Sequence, residues 1–264
     1  MAQEGFQYEN NAYKALEKYN ISTGGVAGAS HDKPDLTIQA KGKRPTGCEL
    51  KNSPTAAGSL VMKYIDGKWQ FGDFKGETEK EFLFSIAKKA NLLKEMNTSG
   101  TAGKNWRGKV PHLQNDKQGK KVIIGAKSKQ TAYANDIKKF GGQNEVHIDI
   151  PAKVICDYYI TKKCSYINVG THGFFTLNGK DDLGLNKKLK TNELETIPDF
   201  AKSASAKIRV RVQSKGGGDY QFVMTLQFGS VKKSPYNIAP LKSGSSSMID
   251  VAALKKDPLL IAFQ

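Results

Sequence analysis

Asp35, Glu49 and Lys51 are the residues of this chain whose types and spacing could do chemistry together. Glu49 follows Asp35 by 14 positions, and a polar turn, Lys41-Gly42-Lys43-Arg44-Pro45-Thr46-Gly47, lies between them. In an antiparallel hairpin centred on Gly42, positions 35 and 49 fall directly opposite each other, and opposed side chains point to the same face. Lys51 returns to that face because side chains alternate along a strand. Two carboxylates held close together repel, and a divalent cation between them reverses that balance. Hard oxygen ligands with an incomplete shell suit Mg2+, for which Mn2+ can substitute. A metal-bound water is more acidic than bulk water, and the same ion can offset charge developing on a phosphate oxygen. The expected chemistry is therefore metal-assisted hydrolysis.

The elements that must position these side chains can be read around them. Leu36, Ile38 and Ala40 alternate with polar residues, as do Cys48-Glu49-Leu50-Lys51, which predicts two half-buried strands. Before them, Phe6, Ala12, Tyr13 and Leu16 share one face of a helix from Gly5 to about Tyr19, and Glu9 falls in the middle of that apolar face. A carboxylate there needs a partner. Further on, Val61 to Ile65 and Lys68 to Phe71 flank Asp66-Gly67, a strong hairpin signal. Thr78-Glu79-Lys80-Glu81 has the form of a capping box opening a helix to about Asn97. The stretches around Lys104 to Lys109 and from Asn115 to Lys121 read as loops. Strands at 122–124, 146–150, 166–169, 174–177, 208–212 and 220–228, with helices at 130–140 and 152–160, complete a mixed α/β pattern.

The 264 residues carry 41 Lys+Arg against 25 Asp+Glu, a formal charge of +16, which points to a polyanionic partner, nucleic acid first. Three cysteines, Cys48, Cys156 and Cys164, without a C-x-x-C pair, argue against a disulfide framework and a Cys-rich zinc site. No apolar run is long enough to span a membrane and no signal segment opens the chain, so a soluble cytoplasmic protein is expected. His31, His112, His147 and His172 are scattered, with no second ligand at metal spacing.

Pro34-Asp35 followed by Glu49-Leu50-Lys51 resembles the signature of the PD-(D/E)XK nuclease superfamily, which includes restriction endonucleases and Holliday-junction resolvases. The resemblance covers about residues 5 to 75. It implies a restriction-endonuclease-like α/β fold, a mixed β-sheet core flanked by helices. The pattern of elements along the chain divides it into such a core over 1–150 and a β-rich C-terminal elaboration over 151–264 that completes the core or a DNA-binding cleft, or that forms one domain with it. The resemblance also implies that Asp35, Glu49 and the backbone carbonyl of Leu50 hold the metal, that Lys51 orients or deprotonates the attacking water, and that Glu9 binds a second ion or positions water. Asp32 is a substitute ligand for Glu9. The implied function is Mg2+-dependent DNA endonuclease. A junction, flap or exonuclease of the same fold is one alternative, and a non-catalytic basic DNA-binding protein is another.

Candidate DNA contacts are Lys104, Arg107 and Lys109 around Trp106, a basic segment with an aromatic that suits phosphate contact and base stacking, here expected to be a mobile arm. Arg209 and Arg211, on one face of a predicted strand, are the other candidates. A homodimer is left open. Small size and high charge are compatible with a compact phage or mobile-element nuclease.

Overall fold

The structure is a computed structural model that describes residues 2–25, 33–74, 76–98, 100–142 and 146–264. His31 and Asp32 lie outside the described residues. Along the chain run helix α1 (Ala2–Glu17) and strands β1 (Ser22–Thr23), β2 (Leu36–Ile38), β3 (Thr46–Lys51), β4 (Ala56–Ile65) and β5 (Lys68–Phe71). Next come helices α2 (Thr78–Lys89) and α3 (Leu92–Asn97), strands β6 (Leu113–Asn115) and β7 (Lys121–Ile123), helix α4 (Lys129–Lys139) and strand β8 (Val146–Ile150). Helix α5 (Lys153–Thr161), strands β9 (Cys164–Val169) and β10 (Gly173–Thr176), and helices α6 (Leu185–Thr191) and α7 (Phe200–Ser203) follow. Strands β11 (Ala204–Gly216) and β12 (Asp219–Val231) and helices α8 (Val251–Lys256) and α9 (Leu259–Phe263) close the order. The fold is mixed α/β.

The chain forms two compact units, one of residues 1–55, 152–205 and 228–264, the other of 56–151 and 206–227. This differs from the division at residue 150 expected from the sequence, and the reason is a strand pairing. In the first unit the sheet runs β1-β2-β3-β9-β10, and β9 pairs with β3 in parallel, Glu49 beside Ile167. Parallel neighbours need a long crossover. Residues 56–151 lie within that crossover, so the sheet begun by β1 to β3 is completed only after them.

The hairpin register is the expected one: Leu36 faces Cys48, Thr37 faces Gly47 and Ile38 faces Thr46, with Gly42 at φ +73° in the turn. Helix α1 buries Tyr8, Ala12, Ala15 and Leu16, a stripe at helical spacing, in the core with Leu36, Ile38, Cys48 and Leu50. Phe6 is 49% exposed, so the buried face is rotated from the one expected and Glu9 lies at its half-buried margin. Tyr8 sets that rotation. Its hydroxyl donates to the carbonyl of Ala239 (2.8 Å) and accepts from Asn168 Nδ2 (3.1 Å), which fixes the helix to the sheet.

The second unit carries an antiparallel sheet, β5-β4-β12-β11-β8, with the expected Asp66-Gly67 hairpin between β4 and β5. Its core is aromatic: Trp69, Trp106, Phe140 and Phe222 lie within 6 Å of one another, and Trp106 stacks on Phe140 at 4.3 Å. Trp106 is 0% exposed, which corrects its assignment as a base-stacking residue. The segment is also not a free arm, because Trp106 anchors it, Arg107 donates to the Thr98 carbonyl and Lys109 to that of Lys139. The helix expected to reach Asn97 in one piece breaks at Asn91, whose φ of +55° ends one helix and starts the next. Thr78 does not cap it; the capping position is Glu77, without a side-chain bond. Residues 115–121, read as a loop, form the turn and ends of the β6/β7 hairpin. No helix of the described residues is long and apolar enough to cross a membrane.

Candidate active site

Asp35 stands one residue before β2, and the hairpin register places it opposite Glu49. Its Oδ2 accepts the backbone N–H of Leu50 at 2.9 Å. A residue's N–H and C=O leave a strand on the same side, so the Leu50 carbonyl shares the Asp35 edge. Lys51 Nζ donates to Glu49 Oε1 at 2.5 Å and lies 3.5 Å from Asp35 Oδ2. The three side chains singled out from the sequence therefore meet. Glu49 is 1% and Asp35 6% exposed.

A fourth member was not foreseen. Lys162, buried at the end of α5, donates to Glu49 Oε2 at 2.7 Å and lies 3.7 Å from Asp35 Oδ1. Lys163 then takes φ +63° and turns the chain into β9. This turn presses close against β3. A Cβ on Gly47 would meet the Lys163 carbonyl at 2.5 Å and Pro34 Cβ at 2.8 Å, so glycine is what allows α5 to deliver Lys162 to the carboxylates. Tyr159, one helical turn earlier, presents its ring to Lys51 (5.6 Å) and Lys162 (5.8 Å), and its own hydroxyl is buried without a partner. The available signal was the three-residue spacing of Tyr159 and Lys162, which puts them on one helical face. It could not say whether Lys162 or Lys163 turns inward.

The charges balance: two carboxylates, two ammonium groups. Burial would raise the Asp35 carboxyl, but Lys51, Lys162 and the Leu50 N–H outweigh it and hold it below its ordinary value. Glu49 goes the other way, raised by burial and then by the negative charge of Asp35, against the pull of both lysines. Burial would lower both lysines, and the two carboxylates hold both raised instead. Glu9 is pushed up to about 7, first by burial and then by Asp35, with Lys51 opposing and Glu49 adding. Glu9 thus senses the cluster through its field.

Among the described residues no group of three or more His, Cys, Asp or Glu side chains is gathered tightly enough to hold a metal ion. The oxygen donors of Asp35, Glu49 and the Leu50 carbonyl fit a hard divalent cation in kind. Both carboxylates are already engaged by ammonium groups, so a cation would enter only as one of these withdraws.

Lys104, Trp106, Arg107, Lys109, Arg209 and Arg211 all belong to the other unit. Lys104 and Arg107 are exposed, Lys109 is half-buried, and Arg209 and Arg211 share one face as expected. His112 is engaged with the Ile124 carbonyl, and His172 with Thr171, its pKa lowered by burial and by Lys233. No protein-family model, curated protein or solved structure matches this chain.

Proposed function

We propose that the chain is a Mg2+-dependent DNA endonuclease of PD-(D/E)XK type. The observation that carries this reading is the juxtaposition of Asp35, Glu49 and Lys51 on one face of a mixed sheet, with the Leu50 backbone at the same edge. Helices α1 and α5 supply the side chains that flank it. Asp35, Glu49 and the Leu50 carbonyl would hold the ion, which when bound supplies an acidified water and positive charge for the scissile phosphate. Lys51 would orient a water molecule and bring its own positive charge to the phosphate oxygens. Glu9, titrating near neutrality, is suited to exchange a proton with solvent. The charge of +16 suits a DNA substrate.

The charge-balanced quartet with Lys162 favours a second reading, a non-catalytic DNA-binding protein in which these four residues are a buried ion-pair network. Incubation with supercoiled, linear, single-stranded and four-way-junction DNA, with Mg2+, Mn2+ or chelator, separates the two. The nuclease reading expects metal-dependent nicking or cutting. Intact DNA under every metal condition, with binding retained, leaves the second reading standing. The pattern among the four substrates distinguishes an endonuclease from a junction-selective enzyme or an exonuclease.

A further inference from the structure

Strand β11 alternates cleanly. Ile208, Val210 and Val212 are fully buried, so Lys207, Arg209 and Arg211 project from the opposite face of the sheet. Arg209 lies beside His147 on β8, and Lys207 beside Asp149, and both β8 side chains are exposed. On β4 the same alternation, away from buried Met62 and Tyr64, gives this face Val61 and Lys63, and Val61 is 38% exposed. The face is thus basic and exposed at its β8 edge and at Val61, while Val223 and Thr225 of β12, beside Val61 and Ser59 on the same face, are buried at its centre; Asp149 faces Lys207 rather than the arginines.

Arg209 and Arg211 are half-buried neighbours, and neither forms an ion pair among the described residues. The Nε of each is buried with no hydrogen-bond acceptor, and Arg211 has one long bond, Nη2 to Gln213 Oε1 at 3.4 Å. Two adjacent guanidiniums with unmet donors are unfavourable on their own, through mutual repulsion and lost hydration. Arg209 registers this, its pKa lowered by burial and then by Arg211. An oxyanion supplies the acceptors and the opposite charge at once, and the guanidinium fork matches phosphate through paired N–H donors.

We propose that Arg209 and Arg211 form a phosphodiester-binding site, and that this sheet face docks the backbone of duplex nucleic acid without reading its bases. Among the described residues, the large apolar side chain exposed on it is the aliphatic Val61, with no exposed aromatic to stack on a base or enter a lipid interface. The inference rests on the nucleic-acid half of the function proposed above and needs no cleavage.

The test is fluorescence anisotropy in chelator, with a duplex of arbitrary sequence, over a range of salt concentrations. The proteins are wild type, the Arg209→Gln/Arg211→Gln double variant and the Arg209→Lys/Arg211→Lys double variant, with thermal melts to confirm folding. Each phosphate contact contributes about 0.9 to the slope of log affinity against log salt. The glutamine variant should lose roughly tenfold or more in affinity and flatten that slope by about two units. The lysine variant should keep the slope, since charge is retained, but recover only part of the affinity, since the fork is lost. Wild-type affinity and slope in the glutamine variant would overturn the proposal. Full recovery in the lysine variant would overturn the paired-donor site. Arginine-dependent binding to anionic phospholipid vesicles but not to duplex would overturn the assignment to nucleic acid. If the wild type never cuts DNA with metal, the nuclease reading fails and this result still stands or falls by itself.

Discussion

The two units handle buried positive charge in opposite ways. In the first, Lys51 and Lys162 are each within 4 Å of both Asp35 and Glu49, and the cluster sums to zero charge. In the second, the interior is aromatic, and Arg209 and Arg211 rest on the sheet with donors unmet. A matched cluster can hold its geometry without a ligand, and a substrate or ion must compete with contacts already made. An unmatched pair is poised for an anion from outside. A ligand would therefore have to reach the two units by different routes, by displacement in one and by addition in the other.

The largest effect is expected from removing the proposed chemistry of the first unit and measuring whether binding follows. Asp35→Asn and Lys51→Ala should each reduce metal-dependent cleavage by about 10³–10⁴-fold. Duplex affinity measured in chelator should stay within roughly tenfold, because phosphate contacts dominate it. Equal losses in both assays would place the binding charge in the cluster itself.

In the second unit the equivalent blow is to the rings. Trp106→Ala should destabilise the protein by roughly 3–5 kcal/mol in urea unfolding, the usual cost of emptying a large aromatic site. That loss should be nearly independent of pH, as no titrating group is involved. A stability close to wild type would mean that the segment from Lys104 to Lys109 is held by something other than its tryptophan.

Lys162→Met probes displacement. With one ammonium gone, the two carboxylates keep only Lys51, and unfolding in chelator should show a loss of about 3 kcal/mol. Added Mn2+ should then stabilise the variant more than the wild type, and calorimetry should show tighter Mn2+ binding. A variant that is destabilised and indifferent to Mn2+ would make the cluster a purely structural network.

The smallest effect is expected at Glu9. Folded, it keeps its proton up to about pH 7, whereas its ordinary value is 4.5. Between those values the folded state binds more protons than the unfolded one, so wild-type stability falls as pH rises through this window. Glu9→Gln lacks that slope. At about pH 8 it should melt roughly 2–4 °C above wild type, allowing for solvent screening of a half-buried group. Parallel melting curves for the two proteins from about pH 4.5 to 8 would detach Glu9 from the field of Asp35.

The hairpin was legible because its information is local: alternation on both sides of a glycine turn sets the register that brings Asp35 to Glu49. Lys162 was not, since its place depends on the β3/β9 pairing and on the close approach at Gly47, neither of which leaves a nearby pattern. The direction of α1 was misread by about one residue for a related reason. Phe6 is more apolar than Tyr8, but Tyr8 has hydrogen-bond partners at Asn168 and Ala239, far along the chain. Trp106 shows the converse error, since flanking lysine and arginine made a core ring look like a surface one.

The placement of residues 56–151 between β3 and α5 also bears on timing. Glu49 and Lys162 are 113 positions apart, so the contact that completes the cluster has a high sequence separation and a large loop to close. At about 5–20 residues per second, a ribosome needs roughly 6–23 s after making Glu49 to deliver Lys162. Through that interval Asp35 and Glu49 have, of their two ammonium partners, only Lys51 within the nascent chain, and β3 has no neighbour on its β9 side. The acidic pair would therefore mature late in synthesis, after the polypeptide of the intervening insertion has already emerged.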